Sequence, residues 1–424
     1  MYGKTRLDYF HPFYYILSSM KVLLIAENWP PRVGGIENYL TGIVAHLPAS
    51  STTVIAPELF SSPAAPREAR HSGDKGRLGG VVKNSTPPSP LIKGVITIRK
   101  RFFWPWLKPA WLPLYLSIKK LVGKNRPDVV FCGKALFEGL VGLWLKQKFG
   151  IPYVIFTYAM EIEVWAKTER AKLEKVLKHA DRVVYVNEVT KKSLVDLGVT
   201  EKQLVKIWPG TNDDWLKPVL NGQEVLSKYG ITGPYVFTLT RLIKRKGVDV
   251  ALEAFASIYR YIDAPGYMDV CFVVAGSGPE LENLQTRARE LGLDGRVKFL
   301  GHVPDEDLPA LYSNAKVFAL TPRRDAEDIE GFGIVYLEAA ACGVPAIGTL
   351  VGGIPEAVIH NQTGILVEPD NPQVIAEAMA LLLKDENKRK ALGEAAKKRA
   401  YDEFRWSKRI LLVKGMIDAI LTRS

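Results

Sequence analysis

Little in this chain is available for disulfide or metal chemistry. Its 424 residues include three cysteines, Cys132, Cys271 and Cys342, too scattered and odd in number for a disulfide framework or zinc-ligand spacing. A reducing, cytoplasmic setting is expected. The six histidines show neither H-x3-H nor H-E-x-x-H spacing, and no G-x4-G-K-[ST] loop or G-x-G-x-x-G after the first strand-like segment occurs. These absences disfavour zinc hydrolases, P-loop NTPases and dehydrogenases. No run of eighteen or more apolar residues escapes interruption by charge, so no transmembrane helix is expected. Asp305-Glu306-Asp307 has a D-x-D spacing used for metals elsewhere, but it follows Pro304 at a helix start, where Asp is ordinary. No metal is expected.

What is present is an ordinary globular composition, 47% hydrophobic and 24% charged, in a chain longer than one core usually organises. Two domains follow as the expectation. Short β-branched runs alternate with helical patterns, the mark of βα units and parallel sheets. Strands are read at Lys21–Glu27, Thr53–Ala56, Val95–Ile98, Asp128–Phe131, Tyr153–Phe156, Arg182–Val186 and Leu204–Ile207. Trp208–Lys217, rich in turn formers, reads as a linker. The alternation restarts with Tyr235–Thr240, Val270–Ala275, Val297–Leu300, Val317–Leu320, Pro345–Ile347 and Gly364–Val367.

The expected architecture is therefore α/β, two Rossmann-like doubly wound domains facing a central cleft. The domains are read as 21–210 and 211–404, with 405–424 packing back onto the first. Residues 1–20 read as an extension, dispensable or preceding a true start at Met20. Glu58–Pro90, rich in Pro, Ser, Gly and Arg, reads as a flexible insertion.

The net charge of +12 implies anionic partners. Leu91–Arg126 carries nine Lys or Arg and no acid, interleaved with Phe102, Phe103, Trp104, Trp106, Trp111 and Tyr115. That mixture suits an anionic membrane surface, or a core rimmed by solvated cations. Nucleic acid is not an expected partner.

Glycine turns recur where strands lead into helices. Gly34-Gly35 follows the first strand; Gly276-Ser277-Gly278 and Gly352-Gly353 follow later ones. Backbone N–H groups at such turns approach anions closely, and the helix dipole favours negative charge there. Thr240-Arg241-Leu242-Ile243-Lys244-Arg245-Lys246-Gly247 sets four cations at a strand's carboxyl end, where open α/β sheets bind ligands. Arg241 and Lys246 flank the turn and suit a diphosphate; Lys244 and Arg245 read as solvated surface charge. In Glu330-Gly331-Phe332-Gly333-Ile334-Val335-Tyr336-Leu337-Glu338 the first carboxylate lies in a loop, suited to sugar hydroxyls. Glu338 lies just over a turn into a helix, suited to ribose, with the 331–333 amides facing phosphate.

The ordered set VGGIE, TRLIKRKG, GSGPE, EGFGIVYLE and VGGIPEAV resembles the GT-B retaining glycosyltransferases of family 4 over nearly the whole chain from Met20. The resemblance implies a nucleotide diphosphate sugar, GDP- or UDP-linked, bound mainly by the second domain, and no cofactor. It implies that Arg241 and Lys246 hold the diphosphate, Glu330 the donor sugar, Glu338 the ribose, and Gly34-Gly35 the phosphate or acceptor side. Gly276, Gly331, Phe332, Gly333 and Ile334 complete the expected donor set. The acceptor is expected to be a sugar, lipid-linked or polysaccharide-precursor molecule. Many members have a histidine in a segment like T-H-G-x-E; here Thr157-Tyr158-Ala159-Met160-Glu161 puts Tyr158 in its place. Tyrosine donates a hydrogen bond but is no neutral-pH base, which leaves the donor's 6-hydroxyl contact and the sugar identity open. Tyr158 and Glu161 are assigned to the acceptor side. The alternatives are an epimerase or phosphorylase of the same architecture and a catalytically silent nucleotide-sugar binding module.

Overall fold

Residues 20–30, 34–58, 92–100, 102, 112–258, 269–324 and 330–422 are described in the computed structural model. All thirteen strands read from the sequence are there, within two residues at each end. Seven, β1 (Val22–Ile25), β2 (Thr52–Pro57), β3 (Ile96–Lys100), β4 (Val129–Cys132), β5 (Tyr153–Phe156), β6 (Arg182–Tyr185) and β7 (Leu204–Lys206), form one sheet in the order β3-β2-β1-β4-β5-β6-β7. The other six, β8 (Tyr235–Leu239), β9 (Cys271–Ala275), β10 (Val297–Gly301), β11 (Val317–Ala319), β12 (Ala346–Thr349) and β13 (Gly364–Val367), form a second in the order β10-β9-β8-β11-β12-β13. Every pairing in both sheets is parallel. The result is the two-domain GT-B architecture expected from the motifs.

The central strands are apolar along their whole length, VLLI in β1, VVFC in β4 and YVIF in β5, because helices cover both faces of the sheet. Alternation then divides each strand between two cores. Leu23 and Ile25 join Val130 and Ile155 on one face, while Val22 and Leu24 join Phe131 and Phe156 on the other.

The second core contains a late arrival from the far end of the chain. Trp406, Ile410, Val413 and Ile417 on the helix Trp406–Leu421 pack into it, with the Trp406 ring 5.8 Å from that of Tyr39. The chain thus crosses between the sheets twice, and the crossings are tied together. Thr211 N–H donates to the Phe404 carbonyl (2.7 Å), and Trp406 N–H donates back to Thr211 (3.3 Å).

Both sheets reverse their winding direction at one place, between β1 and β4 and between β8 and β11. In open α/β sheets the crevice outside the strand ends at such a switch point is where ligands bind. The residues beyond those four strands are therefore the ones to inspect. The extension up to Ser19, all of the insertion after Glu58, and Phe103, Trp104, Trp106 and Trp111 lie outside the described residues. Of the remaining aromatics in the basic stretch, Phe102 is buried and Tyr115 packs against Trp144 at 3.9 Å. Phe102 belongs to the core, and Tyr115 is half-buried against it through Trp144. Lys93, Lys100, Lys119, Lys120, Lys124 and Arg126 are exposed.

Candidate active site

At the switch point of the second sheet, the loop after β8 meets the loop that leads from β11 into the helix Ile334–Ala341. A single 3-10 turn, Lys244–Lys246, closed by Gly247 in the left-handed region, turns the side chains after β8 toward β11. Arg245 Nη1 and Lys246 Nζ both reach Glu330 Oε2, at 2.7 and 2.6 Å. All three side chains are nearly buried, between 9% and 11% exposed. Burial alone would raise the Glu330 pKa, but the two cations outweigh it and hold the carboxyl below its usual range. For Lys246 burial is the largest influence and lowers its pKa, with Glu330 opposing. Two cations facing one carboxylate make a preorganised anion-seeking cluster at the strand tips.

Arg245 corrects the sequence reading, which left it solvated: it is half of the clamp on Glu330. Lys244 is the solvated one, exposed and paired with Asp249. Arg241, in the same loop, is also exposed, and its charge bears on Lys246. On the facing helix, Glu338 accepts a hydrogen bond from the Tyr312 hydroxyl (2.9 Å), and burial, the main cause, pushes its pKa up to about 7. A carboxyl so poised accepts from hydroxyls once ionised.

The glycines divide into two kinds. Gly276, at φ +118°, lies under the Thr240 carbonyl, where an added Cβ would sit 1.9 Å from the oxygen; it lets the loops after β8 and β9 pass. Gly333, at φ +80°, precedes the helix Ile334–Ala341 in the left-handed region, while Gly331 has open space where a Cβ would be. Ile334 begins that helix, so the amides of 331–334 lie at its N-terminus. Phe332 belongs elsewhere. Its side chain is buried against Trp208 (6.3 Å) and Phe404 (6.0 Å), so only its backbone is left to meet a ligand.

At the switch point of the first sheet the chemistry is acidic. Gly34 precedes the helix Gly35–Ala45, whose first turn carries the buried Glu37, hydrogen-bonded by Asn28 Nδ2 (2.7 Å). Beyond β4, Glu138 accepts from the backbone N–H groups of Glu27 (2.6 Å) and Lys134, stitching the loops after β1 and β4 together. Lys134 Nζ pairs with Glu27 at 3.1 Å. Sequence reasoning missed Glu138, because a Glu in a first helical turn signals only a favourable dipole.

Beyond β5, Glu161 is 8% exposed and accepts from Ala135 N–H (3.2 Å) through Oε1. Its Oε2 and the Tyr158 hydroxyl, buried beside the Tyr39 ring at 6.2 Å, have no hydrogen-bond partner among the described residues. Burial, the largest influence, pushes the Glu161 carboxyl up to about 8. The folded chain therefore holds a proton that the unfolded chain releases near the usual glutamate value of ~4.3. The stability this proton confers is fully present below that value and is lost as pH rises through about 8. Glu161→Gln, which mimics the protonated form, is expected to raise the melting temperature by roughly 2–4 °C at about pH 9 and by nothing near pH 4.5. A difference that stays constant with pH would mean that the carboxyl is ionised in the fold.

Among the described residues no group of three or more metal-ligating side chains could hold a metal ion. Asp307 of the D-x-D segment is engaged by Lys228 (2.6 Å) and the Tyr229 hydroxyl (2.7 Å). No described helix is long and apolar enough to cross a membrane.

Comparison with known proteins agrees with this fold. Residues 226–399 match the family model described as glycosyl transferases group 1, and residues 33–215 that of glycosyltransferase family 4. The chain is 30% identical over 395 residues to a GDP-mannose-dependent alpha-(1-6)-phosphatidylinositol monomannoside mannosyltransferase of Mycolicibacterium smegmatis, covering 92% of this chain and 96% of that one. It is 27% identical to a GDP-mannose-dependent monoacylated alpha-(1-6)-phosphatidylinositol monomannoside mannosyltransferase of Corynebacterium glutamicum, over 93% of this chain and 96% of that one. Among solved structures, Anabaena HepE in complex with UDP superposes with a TM-score of 0.75 at 19% identity, covering 94% of this chain and 100% of that one. The chain belongs to family 4 of the glycosyltransferases and is a hexose-transferring enzyme of the GT-B fold.

Proposed function

We propose that the enzyme transfers mannose, with retention, from GDP-mannose to the headgroup of a mannosylated phosphatidylinositol-type lipid, without a metal. The observation that carries this reading is the full-length likeness to enzymes named for that donor and that acceptor class. The diphosphate lies against Arg241 and Lys246 and the 331–334 amides, Glu330 receives the sugar hydroxyls, and Glu338 the ribose. Gly34 and Gly35 face the phosphates across the cleft. Without a metal, the charge of the departing diphosphate is met by preorganised cations and helix amides. The acceptor hydroxyl attacks on the face that the diphosphate leaves, and a phosphate oxygen takes its proton.

Glu161 and Tyr158 offer two buried polar atoms without partners at the strand tips of the first domain, which suits a polyhydroxylated acceptor. Tyr158 carries a hydroxyl where the family resemblance implies an imidazole, so it contributes hydrogen bonding alone. The exposed cations from Lys93 to Arg126 set a positive rim beside this domain, suited to the anionic leaflet in which such a lipid sits.

A transfer assay with GDP-mannose, UDP-glucose and ADP-glucose, and phosphatidylinositol mannoside presented in anionic vesicles, tests the reading. Label from GDP-mannose entering the lipid phase is expected, weakening in high salt. Release of free sugar alone, or transfer only from another nucleotide, would refute it.

A further inference from the structure

Asn187 stands at the end of β6 in the first domain, at 0% exposure, yet its side chain serves both domains. Its Oδ1 accepts from Thr190 N–H (2.8 Å) and the Thr190 hydroxyl (2.9 Å), capping the helix Glu188–Asp196. With the oxygen so engaged, the amide orientation is fixed and the NH₂ group faces away from its own helix. It donates to the carbonyl of Gly331, 144 residues along the chain, in the loop of the second domain that carries Glu330. From the other side, Gly353 N–H donates to the carbonyl of Glu330 itself (3.0 Å). The peptide carbonyls of Glu330 and Gly331 are thus held from opposite domains, directly beside the carboxylate that Arg245 and Lys246 grip.

This contact is not what holds the domains together. Glu356 of the second domain accepts from Glu188 N–H (2.7 Å) and Trp208 Nε1 (2.8 Å) and pairs with Lys206 (2.7 Å), an anchor independent of Asn187. Removing the Asn187 amide therefore leaves the interface anchored and frees only the Gly331 loop.

We propose that Asn187 is a positioning residue for sugar transfer: through Gly331 it sets the direction of the Glu330 carboxylate from across the cleft. The inference rests on the reading of Glu330 as the donor-sugar residue. Two consequences follow for the kinetics. Asn187 touches neither Arg241, Lys246 nor Glu338, so the nucleotide's affinity depends on it only through the 331 amide and changes little. Turnover needs the sugar aligned at Glu330, so it falls without the Asn187 amide.

Asp and Ser both cap helices well, so Asn187→Asp and Asn187→Ser keep the cap and remove the donor to Gly331. For each, we expect kcat with GDP-mannose to fall at least tenfold, while the GDP dissociation constant stays within threefold and the melting temperature within a few degrees of wild type. Should the Asp variant not fold, the Ser variant decides. Wild-type kcat in a folded variant would overturn the proposal, as would a fall in kcat matched by an equal loss of GDP affinity. Glu330→Gln is measured in parallel. If it turns over normally, the reading of the donor loop is wrong; if it is impaired while both Asn187 variants are not, only the positioning role is wrong.

Discussion

Replacing Lys246 with alanine is expected to weaken GDP binding by about 30- to 150-fold, the equivalent of ~2–3 kcal/mol for a lost charge-assisted contact. The size follows from where the ammonium sits. It is 11% exposed and already desolvated, so a bound phosphate gains most of the Coulomb attraction without a further dehydration cost. Because the same contact stabilises the departing diphosphate, kcat/KM with the nucleotide sugar is expected to fall further, by roughly a thousandfold. Titration calorimetry with GDP and steady-state rates measure the two separately. Arg241→Ala, at an exposed position, is expected to show the same pattern at smaller amplitude, since solvent screens its charge.

Glu330→Gln is expected to do something different. The substitution keeps the shape and removes the negative charge that Arg245 and Lys246 share. Two buried cations then lose the carboxylate they share, and breaking a buried pair of this kind costs about 3–5 kcal/mol. The melting temperature of the free protein should drop by several degrees. GDP should restore much of it, because its diphosphate supplies the missing anion and ligand binding stabilises the folded state. Turnover is expected to fall by roughly a hundredfold or more while GDP affinity is kept or improved. Differential scanning fluorimetry with and without GDP, beside initial rates, checks all three quantities. A variant that loses nucleotide affinity along with turnover would show that Glu330 supports the diphosphate rather than the sugar.

These two substitutions also show what the sequence can and cannot disclose. The strands were legible because short β-branched runs between helical patterns have few other uses in a chain of this composition. Lys246, Glu330 and Glu338 stood out because their turns and helix start follow an ordered family pattern, and the structure brings Lys246 and Glu330 into contact. Arg245 did not stand out. At a strand tip flanked by cations, solvation is the default expectation, and only the arrival of a loop 85 residues later buries it. The Phe332 side chain was not legible either: a glycine-rich loop gives no sign that the ring completes a core with Trp208 and Phe404, which leaves only its backbone amide for a ligand. Asn187 left a single signal, a good helix cap, which says nothing of a partner in the other domain. Local chemistry reads well from a sequence; the encounters that a topological switch point creates between distant loops do not.

The central claim is that a nucleoside diphosphate is gripped beyond β8 and β11. A crystal structure of the protein with GDP tests it most directly. The account predicts the diphosphate within hydrogen-bonding distance of Lys246, Arg241 and the amides of 331–334, with the ribose on Glu338. A diphosphate bound at the acidic switch point of the first sheet, with Lys246 still closed on Glu330, would contradict it.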